Sequence, residues 1–142
     1  MSLRPYQQDL VNKVAAHFRA GDKSVLLQLG TGGGKTHLAA EVLRRVVSYG
    51  QPAVFAAHLD TLVEDTHARL TVANVECGFI QAGRPSTPNA PVQVCSLQTL
   101  YTRGIRPPAK LVILDEAHRA AAATVRDILD AYPDAAVLGL TA

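Results

Sequence analysis

The chain has 142 residues, of which 48% are hydrophobic and 18% are charged, a balance that fits one globular domain and excludes a disordered chain. Its net charge of +2 permits nucleic-acid contact without arguing for it, and an aromatic content of 5% without tryptophan argues against a base-stacking platform. Membrane-span, signal-peptide and zinc-ligand patterns are lacking as well. We therefore expect a cytoplasmic protein in which Cys77 and Cys95 are buried thiols, with a disulfide between them left open.

Short apolar runs alternate along the chain with stretches of helical periodicity. Apolar and capping patterns predict helices at 5–20, 35–48, 61–73, 96–102 and 121–132. Apolar runs predict strands at 24–29, 53–57, 76–80, 92–95, 111–114 and 136–140. Because most runs are continuous rather than alternating, they indicate a parallel sheet covered on both faces, and we expect the first strand to be buried on both sides. The predicted class is α/β, a three-layer α/β/α sandwich with ligands at the carboxyl ends of the strands.

A glycine-rich stretch, LGTGGGKT at 29–36, joins the first strand to the second helix. Glycines let several backbone N–H groups point at one anion, and the start of the helix adds its own. The stretch predicts a nucleoside triphosphate site in which Lys35 reaches the β- and γ-phosphates and Thr36 ligates Mg²⁺. Leu29 replaces the usual first glycine, and we interpret it as the last residue of the strand. The phosphate-binding backbone is predicted at Gly30, Thr31, Gly32, Gly33 and Gly34.

Two carboxylates, Asp115 and Glu116, end the apolar run at 111–114. Burying carboxylates is costly without partners, and a triphosphate with Mg²⁺ would supply them. Our hypothesis is that Asp115 helps to hold the metal and that Glu116 orients and deprotonates the attacking water. With Lys35, they are the predicted catalytic residues. A solvated acidic turn is the alternative.

Two predicted helices begin directly after strands on this same edge of the sheet. Thr61 and Glu64 have capping-box spacing, so Asp60 or Thr61 is predicted to cap one helix, and Ser96 is predicted to cap the other. Free N–H groups at such helix starts can bind backbone phosphates without reading sequence. Nucleic-acid contact is therefore predicted here, with plain capping as the alternative for each side chain.

Six stretches in this order resemble the superfamily-two helicases and translocases of the DEAD/DEAH type. DEAH at 115–118 is similar to motif II of that family. The other five stretches are LRPYQQ at 3–8, LGTGGGKT at 29–36, AVFAAHLDTLVED at 53–65, VQVCSLQTL at 92–100 and GLTA at 139–142. Within the superfamily the chain most resembles RadD-like DNA-repair and restriction-type translocases.

The resemblance implies a RecA-like P-loop NTPase domain over residues 1–142 that binds ATP and Mg²⁺. It implies that ATP hydrolysis drives translocation along, or unwinding of, a nucleic acid, for which DNA is preferred and RNA is left open as the alternative. Gln7, with Arg4 nearby, is implied to read adenine, and His118 and Thr141 to couple hydrolysis to the nucleic acid. Residues implied to lie near the tracked strand are Ala57, His58, Gln98 and Thr99.

Departures from the family pattern qualify these expectations. The family binds ATP between two RecA-like domains, and we expect the second domain, with its arginine finger, to be absent from this chain and the isolated domain to be poorly active. QAGR at 81–84 is one residue too short for the finger motif, and we interpret it as an ordinary loop. Leu59 stands where arginine is frequent, which weakens a phosphate contact there. A duplex-DNA translocase without strand separation and a non-motor nucleotide-binding module remain as alternatives.

Overall fold

The computed structural model describes residues 3–30, 34–84, 87–116, 118 and 121–141. The helices in these ranges are α1 (Pro5–Arg19), α2 (Lys35–Ser48), α3 (Asp60–Val72), α4 (Leu97–Arg103) and α5 (Ala122–Asp130). The strands are β1 (Ser24–Gln28), β2 (Ala53–Ala57), β3 (Cys77–Ile80), β4 (Val92–Ser96), β5 (Leu111–Asp115) and β6 (Ala136–Thr141). Every predicted element is confirmed, with small shifts at the boundaries.

The six strands form one parallel sheet in the order β1-β6-β5-β2-β4-β3. The last strand in the sequence, β6, lies between β1 and β5 and pairs with both. Because all strands point the same way, the loops that follow β1 and β5 leave the sheet at one edge, on either side of the end of β6.

Helices cover the sheet on two faces, as the apolar strand runs predicted. Alternate residues of β2 point to opposite faces, so Phe55 belongs to one buried cluster while Val54 and Ala56 belong to the other. The first cluster includes Leu38 of α2 and the second includes Ile128 of α5. Helices α1, α2 and α3 contribute to the first cluster, and α4 and α5 to the second. The chain is therefore a three-layer α/β/α sandwich.

The expectation that β1 is buried on both faces is wrong. Val25 and Leu27 pack against the first cluster, but Leu26 points the other way and is 74% exposed. β1 lies at the edge of the sheet, and no residue of it joins the second cluster formed under α4 and α5. Continuous hydrophobicity alone could not distinguish an edge strand with one covered face from a central strand.

The predicted side-chain cap of α3 is also wrong. The helix begins at Asp60, so Leu59 is the N-cap residue, and the described residues supply it no side-chain cap. Thr61 and Glu64 consequently lie inside the helix rather than at capping-box positions. The Glu64 carboxylate instead accepts a hydrogen bond from Arg84 at 3.3 Å. Asp60 keeps a role, because a negative charge in the first turn favours the helix dipole.

The two cysteines are free thiols in different environments. Cys95 is buried in β4 and burial raises its thiol pKa, whereas Cys77 at the start of β3 is only half-buried. Separately, none of the helices in the described ranges has the length and apolarity that a membrane crossing requires.

Candidate nucleotide site

The candidate site lies at the carboxyl edge of the sheet, around the end of β6. The Leu29 N–H donates to the carbonyl of Thr141 at 2.9 Å, and the Glu116 N–H donates to the carbonyl of Leu140 at 3.0 Å. The end of β6 therefore holds two segments side by side, the one that follows β1 and the one that follows β5. This brings together the glycine-rich stretch and the acidic pair, and it supports Leu29 as a buried continuation of the strand.

Gly34 fixes the start of α2. It is the N-cap residue in a left-handed conformation with φ +82°, and the described residues provide no side-chain cap to the helix. The backbone therefore favours glycine, and a Cβ at this position would force the Gln7 side chain to move because it would overlap Nε2 of Gln7. Gly30 is different, because a Cβ there would meet open space. Predicted phosphate-binding residues Thr31, Gly32 and Gly33 lie outside the described residues.

Gln7 ties the first helix to this loop. It is 7% exposed, and its Oε1 accepts a hydrogen bond from the backbone N–H of Arg4 at 2.9 Å. The same amide group lies against Gly34 through Nε2. The segment that the family resemblance assigns to adenine is therefore in contact with the glycine-rich loop, although the Arg4 side chain is exposed.

Lys35 contacts both carboxylates of the acidic pair. Its ammonium is 3.4 Å from Oδ1 of Asp115 and donates a hydrogen bond to Oε1 of Glu116, residues 80 and 81 positions away in the sequence. Asp115 and Glu116 are 2% and 7% exposed. The three predicted catalytic residues are therefore close together, and burial of the carboxylates is compensated by a cation.

The charges of this group depend on each other. Burial raises the pKa of Asp115 above its usual value, although the Lys35 ammonium opposes that shift. Burial alone would lower the pKa of Lys35, but the hydrogen bond with Glu116 and the attraction of Asp115 outweigh burial and raise it. Lys35 therefore stays protonated at neutral pH, and a cation beside the buried Asp115 carboxylate stabilises its charged form.

Glu116 has a backbone conformation that side chains rarely adopt. Its φ is +53°, in the left-handed region, which costs on the order of 1–3 kcal/mol for a residue other than glycine. Its Oε2 lies 3.3 Å from Nε2 of His118. The carboxylate is thus placed between Lys35 and His118, and backbone strain at this point is typical of a functional residue.

The predicted nucleic-acid residues lie farther along the same edge. Ala57 at the end of β2 is in register with Ser96 on one side and with Asp115 on the other. Ser96 caps α4 as predicted, since its Oγ accepts a hydrogen bond from the Thr99 N–H at 3.3 Å. His58 and Gln98 are exposed, whereas the Thr99 side chain is buried. The structure thus brings Ala57 and Ser96 together and leaves Thr99 facing inward.

The predicted coupling residues adjoin the nucleotide residues. Thr141 ends β6 beside Gln28 and accepts the Leu29 N–H with its carbonyl, and His118 touches Glu116. The predicted metal ligand Thr36 follows Lys35 in the first turn of α2 and is half-buried. Within the described residues, no group of three or more His, Cys, Asp or Glu side chains is placed to hold a metal ion.

Sequence reasoning missed a stacked group beside α3. The Phe79 ring stacks on His67 with centroids 3.8 Å apart, and the guanidinium of Arg84 lies 4.3 Å from the Phe79 centroid. Arg84 also donates to Oε1 of Gln81, whose amide donates to the Asp60 carbonyl. This group fastens QAGR at 81–84 to the start of α3, and no spacing in the sequence marks it.

A family model matches the chain over all of its residues. Residues 1–142 match the family model described as "Type III restriction enzyme, res subunit", and the chain belongs to that family. The match supports the restriction-type side of the sequence resemblance. The fold and the family together define the first RecA-like domain of a superfamily-two helicase or translocase.

Individual relatives agree with this family. The Saccharomyces cerevisiae protein IRC3, whose name classes it with the ATP-dependent helicases, is 27% identical in an alignment 151 positions long, which covers 92% of this chain and 21% of the yeast protein. The crystal structure of the UvsW helicase from bacteriophage T4 superposes with a TM-score of 0.79 at 19% identity, over 99% of this chain and 52% of that one.

A second structure carries the same fold. The Sulfolobus solfataricus SWI2/SNF2 ATPase core, solved in complex with dsDNA, superposes with a TM-score of 0.77 at 17% identity, over 99% of this chain and 31% of that one. The chain therefore spans between a fifth and about half of the length of these three proteins. At these identities the structural likeness confirms the RecA-like fold.

Proposed function

We propose that this chain is the ATP-binding and ATP-hydrolysing motor domain of a DNA helicase or translocase. The observation that carries the proposal is the position of the Lys35 ammonium between Asp115 and Glu116. Lys35 is the first residue of α2, which follows Gly34 and has no side-chain cap among the described residues. A half-buried cation with two buried carboxylates, next to the first N–H groups of a helix, is the arrangement that binding and hydrolysis of a phosphoanhydride need.

Phosphate binding would use groups that the fold already points to this edge. The first N–H groups of α2 and the positive end of its dipole favour an anion there. Lys35 is the mobile charge, because it can leave the carboxylates and contact the β- and γ-phosphates. Gln7 would read the adenine, and its contact with Gly34 would link adenine binding to the position of the phosphate loop.

A magnesium ion fits the side chains that Lys35 leaves behind. Mg²⁺ prefers oxygen ligands, keeps several waters and needs few protein groups, which agrees with the Thr36 hydroxyl and the Asp115 carboxylate. The raised pKa of Asp115 reflects a buried carboxylate that a cation would stabilise. Bound there, the ion would neutralise charge on the β- and γ-phosphate oxygens.

Glu116 is the group that would activate water. The carboxylate would accept a hydrogen bond from the water and take its proton as the water oxygen bonds to the γ-phosphorus and the bond to the β-phosphate oxygen breaks, releasing ADP. His118 at 3.3 Å orients this carboxylate. Since His118 is exposed while Glu116 is buried, His118 could relay a change on the nucleic-acid side to the site.

The nucleic-acid partner is proposed to be DNA, tracked along the starts of α3 and α4. Support comes from the register of Ala57 with Ser96 and Asp115, which puts these helix starts next to the acidic pair. Further support comes from the SWI2/SNF2 ATPase core, which was solved with dsDNA. The relatives are longer than this chain, and we propose that the whole protein adds a second RecA-like domain that closes on the ATP and supplies an arginine finger.

The decisive experiment measures ATP hydrolysis by the full gene product with single-stranded DNA, duplex DNA, RNA or no nucleic acid. We expect DNA to stimulate ATP hydrolysis by the parent. This stimulation should be lost in Lys35→Ala and retained in the matched surface variant Lys13→Ala. If no nucleic acid stimulates hydrolysis, the proposal of a motor domain is wrong, and a non-motor nucleotide-binding module is supported instead. Stimulation by RNA alone would overturn DNA as the partner.

A second candidate function, duplex translocation without strand separation, is favoured by the dsDNA complex of the SWI2/SNF2 core. The two functions separate in paired assays on the same preparation. A helicase releases a strand from a forked duplex, whereas a duplex translocase displaces a third strand from a triplex and leaves the duplex intact.

A further inference from the structure

A groove opens at the amino edge of the sheet, opposite the candidate nucleotide site. It has a volume of about 530 Å³ and lies between α1, α2 and the first residues of β5 and β6. Its floor is apolar, because the partly exposed side chains of Phe18, Val46 and Ala136 line it and pack against the buried cluster that contains Val11, Val14 and Leu111. Tyr49, at the end of α2, stands on the rim and is 81% exposed.

The rim of this groove is cationic. Arg19, Arg45 and Lys110 line it, and none of the described residues that line it is acidic. Arg45 is held by Glu41 and Asn12, whereas Arg19 and Lys110 form no ion pair with any described residue. The groove therefore offers an apolar floor and two uncompensated positive charges.

The three cations of the rim differ in whether the fold itself accounts for their positive charge. Arg19 and Arg45 lie in the last turns of α1 and α2, where positive side chains offset the helix dipole without any ligand. Lys110 lies before β5 and has no such role. Its backbone is fixed from both sides, since its N–H donates to Pro52 and its carbonyl accepts from Ala136. Lys110 is thus the charge that most directly points to an occupant.

The chemistry of the groove selects among occupants. A nucleic-acid backbone would match the charges but would leave the apolar floor unused, because its contacts are with phosphates. An apolar patch with a charged rim is typical of protein interaction sites. A peptide with apolar side chains on one face and carboxylates beside them matches both parts of the surface.

We propose that this groove binds an acidic amphipathic peptide segment of a partner protein. Its apolar side chains occupy the floor formed by Phe18, Val46 and Ala136, and its carboxylates pair with Lys110 and Arg19. The groove lies at the opposite end of the sheet from Lys35, so that binding there leaves the nucleotide site free.

The test uses the full chain and three synthetic fluorescein-labelled peptides. All three peptides have leucine and phenylalanine at the same helical spacing. Their remaining positions are glutamate in the first peptide, glutamine in the second and lysine in the third. Fluorescence anisotropy is expected to show binding of the glutamate peptide, weaker by about tenfold or more in Lys110→Glu and weakened by added salt. The matched control Arg103→Glu reverses an exposed charge at the end of α4, outside the groove, and should bind as the parent does.

A charge exchange makes the outcome independent of folding defects. Lys110→Glu combined with Arg19→Glu is expected to bind the lysine peptide better than the parent does, which an unfolded variant would not. Absence of glutamate-peptide binding, equal binding of the glutamate and glutamine peptides, or no effect of Lys110→Glu would each overturn the proposal. Dimerisation of the chain that Lys110→Glu abolishes would also overturn it, because the occupant would then be a second copy.

Discussion

The two ends of the sheet handle charge in opposite ways. At the carboxyl end, Lys35, Asp115 and Glu116 are drawn into contact from distant parts of the sequence, and the two carboxylates are nearly inaccessible. At the amino end, Lys110 stands exposed beside an apolar groove and has no described ion-pair partner. Charges that a fold buries and pairs indicate chemistry, whereas charges left on an apolar rim indicate recognition. Matched substitutions at the two ends can test this difference.

The largest expected effect is on hydrolysis by Glu116→Gln. Replacing the proposed base should lower kcat of the full gene product by about 10²–10⁴-fold, while ATP affinity changes little because Lys35 and the start of α2 remain. Steady-state hydrolysis and nucleotide titration separate the two quantities. Glu76→Gln, an exposed control on the approach to β3, should match the parent. Full activity in Glu116→Gln would remove Glu116 from the chemistry.

The next effect concerns stability and its dependence on pH. Lys35→Ala leaves two buried carboxylates without their cation, and we expect a loss of about 1–3 kcal/mol near neutral pH. In this variant, burial still raises the pKa of Asp115 in the folded state, and the opposing ammonium is gone. The folded chain then binds a proton more tightly than the unfolded chain, so stability should rise as the pH falls from neutral towards the usual aspartate pKa of 3.8.

Urea unfolding at several pH values measures this dependence. In the parent chain the raised pKa of Lys35 contributes stability below the usual lysine value of 10.5, and this contribution is lost as the pH rises through the folded-state pKa. Lys35→Ala should lack that alkaline loss. A variant as stable as the parent across the whole range would mean that the contacts of Lys35 carry no net free energy.

A smaller effect separates two glycines in the left-handed region. Gly34 and Gly50 have φ of +82° and +76°, but a Cβ at Gly34 would overlap Gln7 while one at Gly50 would meet open space. Gly50→Ala should cost about 1–2 kcal/mol from the backbone alone, and Gly34→Ala about 1 kcal/mol more from the overlap. Thermal and urea unfolding give both values. The excess should vanish in the Gln7→Ala background, and its persistence would place the strain elsewhere.

The smallest effect is expected at the amino end. Lys110→Gln should change the free energy of unfolding by less than about 0.5 kcal/mol, as is usual for exposed side chains without partners. ATP hydrolysis should also be unchanged, because Lys110 lies at the opposite edge of the sheet from Lys35. A loss of stability near that of Lys35→Ala would show that Lys110 is a structural cation and would remove the contrast between the two ends.

Much of the fold could be predicted because the relevant signals are local. Apolar runs such as LVIL at 111–114, and glycines after strands, predict the order of the elements. Because parallel sheets bind ligands at the carboxyl ends of their strands, this order also predicts where the site lies. The order of the strands across the sheet could not be predicted from the sequence. The sequence could not indicate that β6 inserts between β1 and β5, that β1 lies at an edge with Leu26 exposed, or that α3 begins one residue before Thr61.

The candidate site also has features that the sequence predicted and features that it could not predict. Lys35, Asp115 and Glu116 were predicted from residue type and position after strands, and the structure brings them together. The link from Gln7 to Gly34, the strained backbone of Glu116 and the stack of Arg84 on Phe79 depend on three-dimensional contacts. The roles of the nucleic-acid and coupling residues stay predictions.

Calorimetric titration of the chain with ATP and Mg²⁺ tests most directly whether the carboxyl edge is the nucleotide site. We expect the parent, Lys110→Ala and Glu116→Gln to bind with similar affinity, and Lys35→Ala to bind at least about tenfold more weakly, since only this variant loses the proposed phosphate contact. Equal affinity of Lys35→Ala and the parent would contradict the assignment and would require a nucleotide site elsewhere on the molecule.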